Sequence, residues 1–539
     1  MKNLIYYILI VGLMGCGPKE FDPPDNVKTI LEKAGNNRAE LEKTINHFKE
    51  TREVIKEEAA YFLIGNMDGQ GYAIFNLVDS AGHKIDFNVL AYEDYDKLLD
   101  GWDQIETSHG KIGFELDTML YDYASISSEY LIQNIDLAFE SWENNPWAQH
   151  LSFDQFCEYV LPYRSTNEPL EEWRAFFIKE LSWVKDSLTD KTDPVEAACW
   201  VNDYIKSWFR FDPRYYEHPT DQGLAELLDG KMGRCEDMTN LAIYAMRALA
   251  IPVMSDFTPY WAKTGNNHAW NAVLTKNDSV IIFMGGESNP GDYKLGHELA
   301  KVYRKTFAFQ DKSLASKAKD WEKLPPYLNK KTIKDVTWEY VPTSDLKIDL
   351  TQGKPDSTSY SYICVFNSGE WKAIDHGRIW GSKAQYYGLG RNVAYLPAFY
   401  YDEEIIPASN VFVLSDSGIV ENKIPDGNLK IDLTLYSTTK RITKETTDFI
   451  DQTDFESGKE YILYYWNDKW IENGREKAGN GPLVFKGVPS NAIYWLVEEG
   501  SRKEERILQL MNREIRFGGR CVVHGFKFKD PTDNNTFIN

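Results

Sequence analysis

Apolar residues recur at helical spacing over the first part of the chain. Leu41, Ile45 and Phe48 fall on one face, and so do Leu131, Ile135, Ala138 and Trp142 before Asn144-Asn145-Pro146 ends the run. The stretch from Pro23 to about Asn145 is therefore predicted to be mostly helical. Asn167 and Pro169 are expected to open another helix, with Trp173, Phe177, Leu181 and Val184 at helical spacing. After Asp193-Pro194 a further helix carries Val195, Ala198, Val201, Ile205 and Trp208. Beyond Pro325-Pro326 the period changes to two, clearest at Leu429, Ile431, Leu433 and Leu435, with turn residues such as Asp426-Gly427 and Asn467-Asp468 between runs. The last 200 or so residues thus read as β-rich modules. No repeat at a solenoid or propeller period interrupts this order.

Composition narrows the classes. At 539 residues, 42% hydrophobic, the chain is long enough for several cores, and two to four domains are expected. Its formal charge of −22 opposes contact with phosphate backbones, so nucleic acid is not an expected partner. At the N-terminus, Lys2, the apolar stretch Leu4 to Leu13, and Met14-Gly15-Cys16 have the outline of a secretory signal. No later run reaches the length of a membrane-spanning helix. The other cysteines, Cys157, Cys199, Cys235, Cys364 and Cys521, are odd in number and widely scattered, so no disulfide framework is expected. No Cys/His spacing suits zinc, His297 and His376 lack a partner at ligand spacing, and neither a metal nor a cofactor is expected.

Candidate chemistry centres on Gly230-Lys231-Met232-Gly233-Arg234-Cys235-Glu236-Asp237-Met238. Met238, Leu241, Ala242, Ala245 and Leu249 trace the buried stripe of a helix that stops near Pro252, which puts Cys235 at its N-terminus. Unpaired amides and the helix dipole favour a thiolate there, whereas Glu236 and Asp237 oppose it. Asn267-His268-Ala269-Trp270-Asn271-Ala272-Val273-Leu274 alternates as a strand, with a turn over Lys276 to Ser279 before the apolar Val280 to Phe283. If that turn centres on Asn277-Asp278, facing residue numbers sum to 555 and Glu287 lies opposite His268. Cys235, His268 and Glu287 would then form a Cys-His-acid triad, with Asp278 and Asp292 as fallbacks should the turn differ by one residue. The Cys235 amide and an upstream indole, Trp200 or Trp208, are candidate oxyanion donors.

These segments resemble the transglutaminase-like superfamily. Gly233-Arg234-Cys235, followed by a helix ending in Arg247-Ala248-Leu249-Ala250-Ile251-Pro252, resembles its nucleophile segment, and His268-Ala269-Trp270-Asn271 resembles its histidine strand. The resemblance covers about Leu151 to Phe307 and implies a papain-like core with Cys235 as nucleophile and His268 as general base. Family members usually carry an aspartate after the histidine strand, where this chain has Phe283-Met284-Gly285-Gly286-Glu287. Leu13-Met14-Gly15-Cys16 resembles a bacterial lipobox, which implies cleavage before Cys16, lipidation of its thiol and a place in the cell envelope. Together with Phe156 to Arg164 and the β-rich tail, it resembles exported transglutaminase-domain proteins of Bacteroides type.

The expected architecture is an α+β multidomain chain. Residues 1–16 form the signal and lipidated cysteine, 17–150 a mostly helical domain, 151–330 the transglutaminase-like core, 331–425 a β-rich module, and 426–539 a β-sandwich-like module. The expected activity is attack on peptide or protein amides through a thioester, with hydrolysis favoured over cross-linking. The rival class is an envelope scaffold that binds glycan, peptide or protein; Tyr464, Trp466 and Trp470 around the Asn467-Asp468 turn are the candidate sugar-stacking face.

Overall fold

A computed structural model describes residues 23–262, 265–296, 298–356, 358–435, 455–501 and 506–511, with the backbone of the short strands Ile442–Thr443, Phe449–Ile450, Glu514–Phe517 and Arg520–Cys521. Cys16 and His297 lie outside the described residues.

The N-terminal region is built on helices Asp25–Lys33, Arg38–Thr51, Val54–Gly65 and Ser128–Asn144, which turn Leu41, Ile45, Phe48, Leu131, Ile135 and Ala138 fully inward. Between them lies an element that the apolar pattern does not reveal, an antiparallel hairpin of Gly71–Val78 and Gly113–Tyr121. Its second strand is mostly exposed, so no buried face imprints a period of two. One hydrophobic cluster runs from Val27 through Trp147 and Tyr244 to Val336, so the N-terminal helices share their core with the region that follows. Ser141 and Trp147 also donate hydrogen bonds to the carbonyls of Ala248 and Leu249, at 2.7 and 2.8 Å.

Asp193 caps the helix Pro194–Lys206, accepting from the Val195 amide at 2.9 Å, with Pro194 in the first turn as the sequence suggests. The helix expected from Asn167 instead starts at Trp173 and ends at Glu180; a separate short helix, Val184–Ser187, follows. The reason is Glu168, whose buried carboxylate accepts the amides of Ser165 and Thr166 at 2.7 Å and folds 165–168 into a loop.

At the centre, helix Cys235–Ala248 is buried along all but one of its 14 residues. It packs on a five-stranded antiparallel sheet in the order Val280–Phe283, His268–Leu274, Val253–Thr258, Tyr303–Lys305, Ile333–Asp335. Asp256 and Arg304 form a buried ion pair at 2.7 Å within this sheet, extended by Glu339 and by the Tyr340 hydroxyl.

An eight-stranded sheet occupies Thr343 to Asn422, and further strands extend from Asp426 onward. Phe257, Ala269 and Tyr303 of the central sheet join one hydrophobic cluster with Phe366, Trp371, Trp466 and Ile493. Trp466 is buried there, edge-on to Trp371 and Trp470 at 5.4 and 5.1 Å, while Tyr464 leans on Trp495. The aromatics read as a sugar-stacking face thus serve mainly as packing.

Candidate active site

Cys235 is the first residue of its helix, as the glycine punctuation and apolar stripe indicated. Asp237 closes the turn by accepting the Arg234 amide at 2.9 Å and the Gln222 amide at 3.1 Å. The cysteine is 9% exposed. Burial pushes its thiol up to about 11, and the Glu236 charge adds to the rise, against smaller contributions from the Ala269 amide and Arg234 that favour the thiolate. The sequence left that balance open; the enclosed position of the sulfur decides it. The effect of the Ala269 amide on the sulfur also places the thiol at the start of the His268 strand.

His268 is the first residue of that strand. Its ring stacks on Trp261 with centroids 5.8 Å apart and leans on Trp270 at 5.7 Å. Its Nε2 is hydrogen-bonded to the Tyr293 hydroxyl at 2.6 Å. Burial raises the Tyr293 pKa, with the charges of Glu287 and Cys235 adding to it, so the phenol stays neutral and lies within electrostatic reach of the sulfur. Asn271 joins the parts: its amide group donates to the Thr239 carbonyl of the cysteine helix at 3.1 Å and accepts from the Gly285 amide at 3.2 Å.

Glu287 does not occupy the expected place. The strands pair Asn271 with Phe283 and Leu274 with Val280, so facing numbers sum to 554 rather than 555. The cause is a three-residue turn in which Thr275 and Ser279 bond each other and Asp278 takes φ of 59°. Pairing then stops, and Met284 and Ser288 close a tight turn. Gly285 lies so near the cysteine helix that a Cβ would come 2.5 Å from the Met238 carbonyl, and Gly286 adopts φ of +69°. Asn202 fixes this turn by accepting the Gly286 amide at 2.7 Å. Glu287 is left exposed, and no hydrogen bond or ion pair links it to His268 among the described residues. Asp278 bonds Gln155 at the far end of the hairpin, and Asp292 is exposed. The chain doubles back when the Gly291 amide meets the Ile282 carbonyl, and this reversal delivers Tyr293. No spacing rule places a tyrosine there from sequence.

Trp200 is 38% exposed and packs edge-on against Trp183, and Trp208 packs on Tyr204 and Phe209. Neither lines the space in front of Cys235, so the indole expected as an oxyanion donor does not reach it. That space is a polar cavity of about 940 Å³. Cys235 opens onto it with Arg234, Glu236, Lys305, Tyr327 and Lys330, and Gly69 to Gly71 and Arg164 to Asn167 contribute further wall. Sequence reading missed these wall residues because they come from five separate segments with no shared pattern. Among the described residues no cluster of His, Cys, Asp and Glu is placed to hold a metal ion.

Residues 181–283 match the model of the transglutaminase-like superfamily, a span that contains Cys235 and His268 and ends before Glu287 and Tyr293. These residues form a transglutaminase-like domain with a papain-like fold, preceded by a helical region and followed by a β-rich one. The crystal structure of red sea bream transglutaminase is similar at 10% identity and a TM-score of 0.22, over 82% of this chain and 76% of that one. No curated protein compared with the chain matches it.

Proposed function

We propose that a chain built around this transglutaminase-like domain is a cysteine enzyme acting on amide bonds of peptides or proteins, with Cys235 as nucleophile and His268 as base. The observation that supports this most is the position of Cys235, on a helix N-terminus at the wall of a large polar cavity and beside the strand that His268 begins. With the thiol held up to about 11, ionisation has to accompany attack. Tyr293 engages Nε2; with Nε2–H donating to the phenol oxygen, Nδ1 is left with the free lone pair to take the Cys235 proton. The sulfur adds to the amide carbonyl, the helix-end amides bind the oxyanion, and collapse expels the amine with the proton returned by His268. A thioester on Cys235 remains. The polar cavity admits water, so hydrolysis, with His268 again as base, is favoured over transfer to an amine.

Incubation with a p-nitrophenyl ester of an N-acyl amino acid, followed by intact-mass measurement, tests the reading. An acyl adduct is expected on the wild type and not on Cys235→Ala; the same mass gain on incubation in both proteins would refute it. The segment around Cys16 supports placement at a bacterial cell envelope through a lipid anchor. Metabolic fatty-acid labelling checks that part, since label that persists in Cys16→Ala excludes it. No helix of the described residues is long and apolar enough to cross a membrane.

Two observations favour a scaffold reading instead. A neutral phenol on His268 stabilises an imidazolium less than a carboxylate does, and the raised thiol opposes a standing ion pair. A scaffold would keep the cavity for binding and show no acyl adduct.

A further inference from the structure

The charges around the Cys235 cavity are largely matched. Arg234 pairs with Asp221 at 2.8 Å, Lys305 with Glu236, Arg164 with Asp122 at 2.6 Å, and Lys331 reaches Asp68 at 3.8 Å. Lys330 is different. It lines the same cavity, is exposed to it, and among the described residues forms no ion pair or side-chain hydrogen bond. The charges of Lys305, Glu236 and Asp221 all act on it, which puts Lys330 close to the Lys305–Glu236 pair that flanks Cys235. Three residues earlier, Tyr327 accepts a hydrogen bond from Asn267 at 2.6 Å and feels the charges of both Glu236 and Cys235, which ties this segment to the reacting end of the cavity. An unmatched cation in a concave wall attracts an anion more strongly than the same group on an open surface.

We infer that the substrate is an acidic peptide carrying a carboxylate close to the amide that Cys235 attacks, and that Lys330 binds this carboxylate. The inference rests on Cys235 being the nucleophile proposed above. It makes Lys330 a specificity residue, with the matched pairs around it holding the wall rather than reading the ligand.

Iodoacetate and iodoacetamide test it, because they alkylate by the same chemistry and differ in one negative charge. Their rate ratio at Cys235, read by peptide mass spectrometry and normalised to N-acetylcysteine, is expected to be raised roughly three- to tenfold in the wild type. Lys330→Met should return it to the free-thiol value, Lys330→Glu should drive it below, Lys330→Arg should restore it, and Lys179→Met, on an exposed surface elsewhere, should leave it alone. Salt supplies a readout that needs no variant: raising ionic strength from about 0.02 to about 0.5 M should erode the preference in the wild type. A ratio equal to that of N-acetylcysteine, or one unmoved by Lys330→Met, overturns the carboxylate site while leaving a His268-dependent reaction with iodoacetamide intact. Failure of both reagents to modify Cys235 removes the nucleophile itself, and the inference with it.

Discussion

Tyr293 bears on chemistry most directly at the scale of single residues. A neutral hydroxyl bonded to Nε2 orients the imidazole with a hydrogen bond worth about 1 kcal/mol, so Tyr293→Phe is expected to slow Cys235 acylation roughly fivefold in stopped-flow ester assays. Glu287→Gln should leave that rate unchanged, because the exposed carboxylate does not touch His268. The raised thiol also has a thermodynamic consequence. A group whose folded pKa lies above its unfolded value binds its proton more tightly in the fold, so its contribution is complete below the unfolded pKa and fades as pH rises to the folded one. From the ordinary value of 9.0 up to about 11, Cys235 should contribute a loss of roughly 2 to 3 kcal/mol that Cys235→Ser lacks. Urea unfolding of both proteins at pH 8.5 and 10.5 checks this, and parallel curves would speak against it. Cys235 and His268 were legible in the sequence because each sits at the edge of a strongly patterned element. The hydroxyl that meets His268 was not, since its position depends on a loop reversal after pairing has ended.

Among the elements, the decisive feature is the turn Met284–Ser288. Sequence patterning gives the two strands of the hairpin correctly, because both carry apolar runs, but a single extra turn residue shifts every facing pair. The Thr275–Ser279 bond and the left-handed Asp278 set that extra residue, and neither leaves an apolar signature. Past the strand end, Gly285 and Gly286 let the chain press against the cysteine helix and turn away. Gly285→Ala would force its Cβ against the Met238 carbonyl and is expected to destabilise the protein by about 1 to 3 kcal/mol. Gly286→Ala should cost about 1 kcal/mol through its positive φ alone. Thermal unfolding measures both; equal melting temperatures in wild type and Gly285→Ala would show that the close approach is absent. The late start of the helix at Trp173 has a similar origin, because Glu168 offers the backbone a competing loop that apolar spacing does not register.

Across the whole molecule, the shared core matters more than the composition breaks. A boundary near residue 150 suits the sequence, where Asn145-Pro146 ends a helical run, yet the cluster from Val27 to Val336 crosses it and the helix Ser128–Asn144 bonds the end of the cysteine helix. A fragment spanning 151–330 is therefore expected to lack a cooperative unfolding transition by circular dichroism, whereas the chain from residue 23 onward, which keeps both shared clusters, should retain it. The same enclosure sets the problem for catalysis: at pH 7 a thiol held near 11 is ionised about once in ten thousand molecules unless a base takes its proton. Iodoacetamide modification of Cys235 at pH 7, compared between wild type and His268→Ala by peptide mass spectrometry, tests that assistance most directly. The wild type is expected to react at least tenfold faster than the variant and well ahead of the buried Cys157 and Cys364. Equal, slow modification of Cys235 in both proteins would contradict the enzyme reading.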